Sequence, residues 1–407
     1  MADLLPECLI QKILGLLSHK EAIKMSILSK TWLQAWLTLP KLVFTVLCWE
    51  GWEGTTKIVD TIMERYEKGK IPIQKFELSL FFADSPELFH LVDKWLLIAL
   101  QNGVKELVLH FTSYRVPILT ILAAKSLSEL VLHECILMPV SLSSGVVNYN
   151  SLRKISLSNV TLDENMLQTL LNSCPLIVSF ILENCSGMKV LKIKSDSLKV
   201  LKIIQYYKIC DIDAPNLVSL DYTGSEIPEL NIARESSQLK NSKIILHCLP
   251  SFSSLINTAW FCKLRKFLSN PSSCSEVSLC LFECDEINMT DLQMDHIGST
   301  GWVDVLNLNM LLMNQIIECP TFVDALLWSC HPRRLNLISF DIETVTRLID
   351  CLMYMKHSSH STYSYGWNNQ LKEIKAFDGK NQLLQLGSEE LAKRITEGEQ
   401  PYFILDW

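Results

Sequence analysis

No stretch of this 407-residue chain is apolar for long enough to cross a bilayer. The densest, Leu88 to Leu100, carries Asp93 and Lys94 and falls short of the ~20 residues a membrane helix needs. The opening MADLLPECLIQK has acids where a secretory leader needs a basic region. The expectation is a chain that stays in the cytoplasm and/or nucleus and has no membrane partner. Positive charge is scarce as well: 37 Lys and Arg against 44 Asp and Glu give a net −7, which argues against a nucleic-acid partner. From Phe267 to Pro332 there is no Lys or Arg at all, while nine acids occur (Glu276, Glu283, Asp285, Glu286, Asp291, Asp295, Asp304, Glu318 and Asp324). That block is either a solvated loop surface or a docking surface for a basic partner.

Chemistry-bearing motifs are missing too. There is no Walker loop, GxGxxG turn, GxSxG elbow or HExxH helix. The 14 cysteines lie mostly inside apolar runs and read as reduced core thiols, not as a disulfide framework. Cys274, Cys280 and Cys284, near Asp285 and His296, lack the second ligand pair of a zinc site. Cys330-His331 has nothing in sequence to orient it as a nucleophile. The expectation is a non-enzyme with no cofactor and no metal.

What the chain does contain is an apolar helical start. Pro6 and Glu7 suit a helix N-terminus, and Leu9, Ile13, Leu16 and Leu17 recur at helical spacing. Ser18 and Glu21 form a capping box for a second helix with Ala22, Ile23, Ile27 and Leu28 on its apolar positions. A third helix pairs Trp32 with Trp36 and Leu33 with Leu37 before Pro40 stops it. Three helices in so few residues are too small to fold robustly alone, so the module completes its core against a partner or the following chain.

LPECLIQKILGLLSHKEAIKMSILSKTWLQAW resembles the F-box in its plant form. The resemblance implies binding of the SKP-family adaptor, and through it a cullin-RING scaffold. By position, it implies adaptor contacts at Leu5, Pro6, Leu9, Ile13, Leu14, Leu17, Leu28 and Trp32. Ser18 stands where plant members usually have Pro, and Thr31 where they usually have a basic residue. Burying one large apolar side chain contributes about 1.5–3 kcal/mol against an association cost of roughly 4–15 kcal/mol, so five or six such residues suffice for a stable complex.

The rest of the chain repeats. After a linker and a helix over 55–68 come a strand over 74–82, a helix over 86–101, and then an L-x-x-L-x-L pattern. Its copies are VKELVL, LSELVL, LRKISL, SFILENC, MKVLKI, LKVLKI and LVSLDY. Their fourth positions, from Leu107 to Leu220, are separated by 23, 25, 25, 11, 10 and 19 residues. The short intervals predict a strand and turn with no helix. Weaker copies follow as EVSLCL, VDVLNL, RRLNLISF and LKEIKAF, with helices expected over 163–171, 252–268, 321–329 and 343–355. CPLIVSFILENCSGMKVLKI, DAPNLVSLDYTG and LLWSCHPRRLNL are similar to plant F-box proteins with leucine-rich repeats.

The expected fold is α/β: a three-helix F-box over 1–45, a linker and cap over 46–102, leucine-rich repeats over 103–270, and degenerate repeats with a C-terminal cap over 271–407. The repeats form an irregular solenoid, a horseshoe with parallel strands on its concave face. Repeat leucines point inward, so the residues between them are free to recognise a target. They are Val108, Val131, Ser156, Ile181, Lys192, Lys202 and Asp221 in one column, with His110, His133, Ser158, Glu183 and Lys194 in the next. Lys192, Lys194 and Lys202 read as either solvated lysines or a contact for an acidic or phosphorylated segment. The implied role is the substrate receptor of an SCF-type ubiquitin ligase, its target unknown. A repeat scaffold outside any ligase, or a small-ligand co-receptor, are the alternatives.

Overall fold

A computed structural model describes residues 5–17, 19–47, 52–81, 86–112, 114–137, 149–205, 210–231, 239–248, 256–269, 274–281, 287–294, 301–310, 319–357 and 371–407. The chain packs as two units, Met1–Met188 and Lys189–Trp407.

The first unit opens with α1 (Glu7–Leu14), α2 (His19–Ser26) and α3 (Lys30–Leu37). Ser29 caps α3 by accepting a hydrogen bond from the Trp32 amide. The capping box expected at Ser18 lies outside the described residues. Ile10, Leu14, Ala22, Trp32 and Ala35 form the small core, with Ile13, Leu17, Met25, Trp36 and Leu39 packed around it. Gln11 Nε2 donates to Thr38 Oγ1 at 3.0 Å and ties α1 to the end of α3.

From α3 the chain runs directly into β1 (Lys41–Leu47), which is followed by α4 (Trp52–Gly69) and β2 (Lys75–Phe81). β1 pairs in parallel with β2. The Tyr66 hydroxyl on α4 donates to the Leu39 carbonyl at 2.7 Å, and the Arg65 guanidinium lies 5.9 Å from the Trp36 ring centre. The helical module is thereby joined to the chain that follows it. α5 (Pro86–Gln101) packs on α4, where Lys94 Nζ meets Asp60 at 2.8 Å and Glu64 at 3.1 Å.

Then come β3 (Glu106–Phe111), α6 (Ile118–Leu122), β4 (Glu129–His133), β5 (Lys154–Ser158), α7 (Glu164–Ser173) and β6 (Ser179–Glu183). Each strand pairs in parallel with the one before it, and buried and half-buried residues alternate along β2 to β4 and β6. Asp163 caps α7 by accepting from the Met166 amide at 2.7 Å. After β4, β5 and β6 the backbone makes the same left-handed turn, at Glu134 (φ 58°), Asn159 (φ 54°) and Asn184 (φ 50°). It then makes isolated parallel bridges that join Arg115, Ile136, Thr161 and Ser186. Cys135 and Cys185 fill the core behind these turns, and burial pushes the Cys185 thiol up to about 11. Cys8, Cys135, Cys174, Cys185, Cys210, Cys248, Cys262, Cys274, Cys280, Cys330 and Cys351 are free thiols.

The second unit begins with β7 (Leu191–Lys194), β8 (Val200–Gln205), β9 (Cys210–Asp213), β10 (Ser219–Gly224), β11 (Glu229–Asn231) and β12 (Asn241–Cys248). These strands alternate between two sheets. β8, β10 and β12 pair in parallel in one, and β7, β9 and β11 in the other. Lys192, on β7, therefore does not stand in one column with Lys202 and Asp221 as expected from the sequence. A repeat of about 20 residues without a helix uses a second short strand to pair its backbone.

Strand and helix then alternate through α8 (Thr258–Leu268), β13 (Cys274–Leu281), α9 (Met289–Met294), β14 (Gly301–Asn309), α10 (Cys319–Ser329), β15 (Cys330–Ile338) and α11 (Ile342–His357). β12 to β15 are parallel. The last elements are β16 (Glu373–Phe377), β17 (Leu383–Leu384), α12 (Ser388–Thr396) and β18 (Tyr402–Asp406). β18 inserts antiparallel between β15 and β16, so LKEIKAF is part of an antiparallel closure and not another parallel repeat. Cys330 is fully buried, and His331 stacks on Trp407 with ring centres 4.2 Å apart. Cys284, Asp285 and His296 lie outside the described residues, as do Glu283, Glu286, Asp295 and Glu318 of the acidic block. Of the rest, Glu276 pairs with Lys243, Asp304 pairs with Arg333, and Asp324 is buried. No helix among the described residues is long and apolar enough to cross a membrane.

The left-handed turn geometry also fixes a stability test. Gly187 has φ +93°, and a Cβ there would lie 2.5 Å from the Leu162 carbonyl oxygen. Gly187→Ala is therefore expected to cost about 1–3 kcal/mol, lowering the thermal midpoint. Gly379→Ala, with nothing within 4 Å of the added carbon, should leave the midpoint in place.

Candidate functional site

Two surfaces stand out in the first unit. The first is on the three-helix module, whose apolar residues outnumber the places in its core. Ile10 and Leu14 form an inward stripe on α1, while Leu5 and Leu9 remain exposed beside it. Leu16 is 88% exposed and Ile27 80%, and Leu28, Ile23 and Leu33 add to the same excess of exposed apolar side chains. Single exposed leucines are ordinary, but this many on so small a module mark an interaction surface.

Of the positions implied as adaptor contacts, Leu5, Pro6, Leu9 and Leu28 are exposed, and Ile13 and Leu17 are half-buried against the core. Leu14 and Trp32 are 1% and 4% exposed and belong to the module's own core, a correction to their placement on the docking face. Helical spacing places Leu16, Ile23 and Ile27 in the helices' packing pattern, and the structure turns them to water. The signal for this was present: apolar residues at 9, 10, 13, 14, 16 and 17 are too many for one helical face.

The second surface is the open face of the sheet from β1 to β6. Parallel register lines up its side chains in three rows. The lower row runs Lys41, Lys75, Glu106, Glu129, Lys154 and Ser179. It is largely paired within itself, with Lys75 at 2.9 Å from Glu106 and Lys154 at 3.3 Å from Glu129. Burial would lower Lys75, but Glu106 and Glu77 outweigh it and hold its ammonium above the usual lysine value. The middle row is Val43, Glu77, Val108, Val131, Ser156 and Ile181, an aliphatic strip interrupted by one acid and one hydroxyl.

The upper row is Thr45, Ser79, His110, His133, Ser158 and Glu183. His110 and His133 have ring centres 5.5 Å apart, and Phe81 meets His110 edge-on at 4.7 Å. His110 Nε2 lies 3.5 Å from Glu134 Oε2 and, though buried, makes no hydrogen bond among the described residues. Ser158 is buried and donates from its hydroxyl to Glu183 Oε2 at 3.2 Å. Burial, together with His110, holds His133 below the usual histidine value against the opposing pull of Glu183, Glu134 and Glu77, so it carries little charge near neutral pH.

In the second unit the face of β8, β10, β12 and β13 is different in character. Lys202, Asp221, Lys243 and Glu276 are neighbours in register, an alternation of charge in which Lys243 and Glu276 are 3.3 Å apart. Farther along, Asn307 donates to Glu276 and Ser278, and Asn336 donates to Asn307 at 2.6 Å. Lys192 and Lys194 do not join this row. They lie on β7, in the separate three-stranded sheet, where Lys194 is 3.6 Å from Asp213. The basic patch expected from Lys192, Lys194 and Lys202 is therefore divided between two sheets.

Residues 3–44 match the F-box domain family, and residues 62–258 match the At1g61320/AtMIF1 LRR domain family. The chain carries an F-box followed by a leucine-rich-repeat domain. It is 28% identical over 276 residues to the F-box/FBD/LRR-repeat protein At1g13570 of Arabidopsis thaliana, an overlap of 66% of this chain and 64% of that one. It is 28% identical over 260 residues to the Arabidopsis F-box protein At5g03100, covering 62% of this chain and 80% of the relative. Of three further Arabidopsis F-box relatives it spans about half the length, 53%, 53% and 51%.

The burial pattern of the F-box separates side chains that hold its fold from side chains left at its surface. Leu14→Ala is expected to destabilise the first unit by about 2–5 kcal/mol, read as a lower unfolding midpoint. Leu16→Ala should move that midpoint by no more than about 0.5 kcal/mol in equivalent stability.

Proposed function

We propose that this chain is the target-recognition subunit of an SCF-type E3 ubiquitin ligase, working in the cytoplasm or nucleus. The F-box docks on a SKP-family adaptor and through it on a cullin-RING scaffold, while the repeats hold a target protein. The observation that carries this reading is the exposed apolar surface of a module that matches the F-box domain family, directly followed by repeats with an open sheet face.

In this role the chain supplies no catalytic group. Transfer of ubiquitin is promoted by raising the effective concentration of target lysines beside a charged conjugating enzyme. The link between α3 and β1, with the Tyr66–Leu39 hydrogen bond beside it, suits that task, because the docking module and the first strands belong to the same compact unit. F-box proteins with repeats act as non-enzymatic adaptors, and this chain's burial pattern fits the same division of labour.

The test is binding of the purified full chain to a purified SKP-family adaptor. Replacing Leu9 and Leu28 together by Ala removes two exposed side chains of the docking face, each worth about 1.5–3 kcal/mol when buried. Affinity is therefore expected to fall by at least about 100-fold with the unfolding midpoint unchanged. A folded wild-type chain that fails to bind the adaptor would overturn the ligase role and leave a repeat scaffold as the reading.

A further inference from the structure

The aliphatic strip and the row above it form a surface with a definite chemical preference. Val108 and Val131 are adjacent on β3 and β4, with Ile181 further along the same row. One step up, the described residues of the upper row and its turn include the carboxylates of Glu134 and Glu183 and no Lys or Arg. The lysines of this face are confined to the lower row, where Lys75 and Lys154 are held by Glu106 and Glu129. Attraction for a cation is thus concentrated at one edge, beside an apolar strip.

Glu134 adds a second, independent observation. The equivalent turn residues of the next two repeats are Asn159 and Asn184, a residue type that enters the left-handed region readily. Glu134 occupies the same region at φ 58° without that advantage, and its carboxylate faces His110 on the open face. A residue that costs backbone energy, where a cheaper one serves in its neighbours, points to a use for its side chain.

We infer that the open face of β3 to β6 takes an extended basic segment of the target protein. An aliphatic side chain of that segment lies over Val108 and Val131, and a Lys or Arg two residues along reaches Glu134 and Glu183. In an extended chain, residues two apart point the same way and stand ~7 Å from one another, which matches the offset between the middle and upper rows two strand positions apart. This inference rests on the target-receptor reading and names the class of target.

The experiment is selection of a randomised short-peptide display library on the purified full chain, followed by fluorescence anisotropy with the enriched peptide. Peptides pairing an aliphatic residue with a Lys or Arg two positions away are expected. Glu134→Asn should weaken their binding by about tenfold or more while raising the unfolding midpoint, because it relieves the strained turn. A purely structural Glu134 would not give opposite signs. Glu183→Gln should weaken binding to a similar extent, and the Leu9/Leu28 double alanine should leave peptide binding intact. Enrichment of acidic or uncharged peptides, no enrichment, or binding by the Glu134→Asn and Glu183→Gln chains as tight as by the wild-type chain would overturn the inference. Adaptor binding lost with peptide binding retained would count against the ligase role alone.

Discussion

The parallel pairing of β1 with β2 is the interaction on which the rest of the first unit depends. β1 leaves α3 after only a few residues, so its register with β2, from Lys41 opposite Lys75 to Leu47 opposite Phe81, also positions the F-box. The Tyr66–Leu39 hydrogen bond and the Arg65–Trp36 cation–π contact lie at the same junction. From β2 onward each strand inherits its register from its neighbour, and alternation along the strands turns one set of side chains inward and the other outward. The placement of the three-helix module and the open sheet face are thus both set by one run of backbone hydrogen bonds.

Much of this was legible in the sequence, for a physical reason. Repeat leucines such as Leu107, Leu130, Ile155 and Phe180 are buried in register, so their spacing reports the strands directly. His110, His133 and Glu183 follow because they alternate with those leucines. Glu134 was not legible. It comes one residue after His133, where alternation predicts an inward side chain, and the left-handed turn reverses that. Local dihedral geometry overrides periodicity at this position. The expected split between core and surface in the F-box failed in a related way. Leu14 and Leu16 are both apolar and two residues apart, but α1 ends at Leu14, and hydrophobicity alone does not say where the helix stops and its inward stripe with it.

The second unit shows where repeat spacing misleads. Met188 to Ile193 and Leu198 to Ile203 match the same motif, yet β7 and β8 enter different sheets. The motif encodes a strand with a buried leucine, not the strand it pairs with. Partner choice depends on the length available for the return of the chain, and the 10-residue interval allows only a turn. The final strands carry the same lesson. LKEIKAF has the composition of a repeat, but β18 at the end of the chain pairs with both β15 and β16 and reverses the direction of the sheet.

Leaving Leu16 and Ile27 almost wholly in water has a consequence for the protein's life in the cell. Chaperones and disposal machinery identify unfinished polypeptides by clustered greasy side chains, and an unassembled copy displays that same badge although its interior is complete. Among isolated copies, the same exposed side chains would favour self-association as concentration rises.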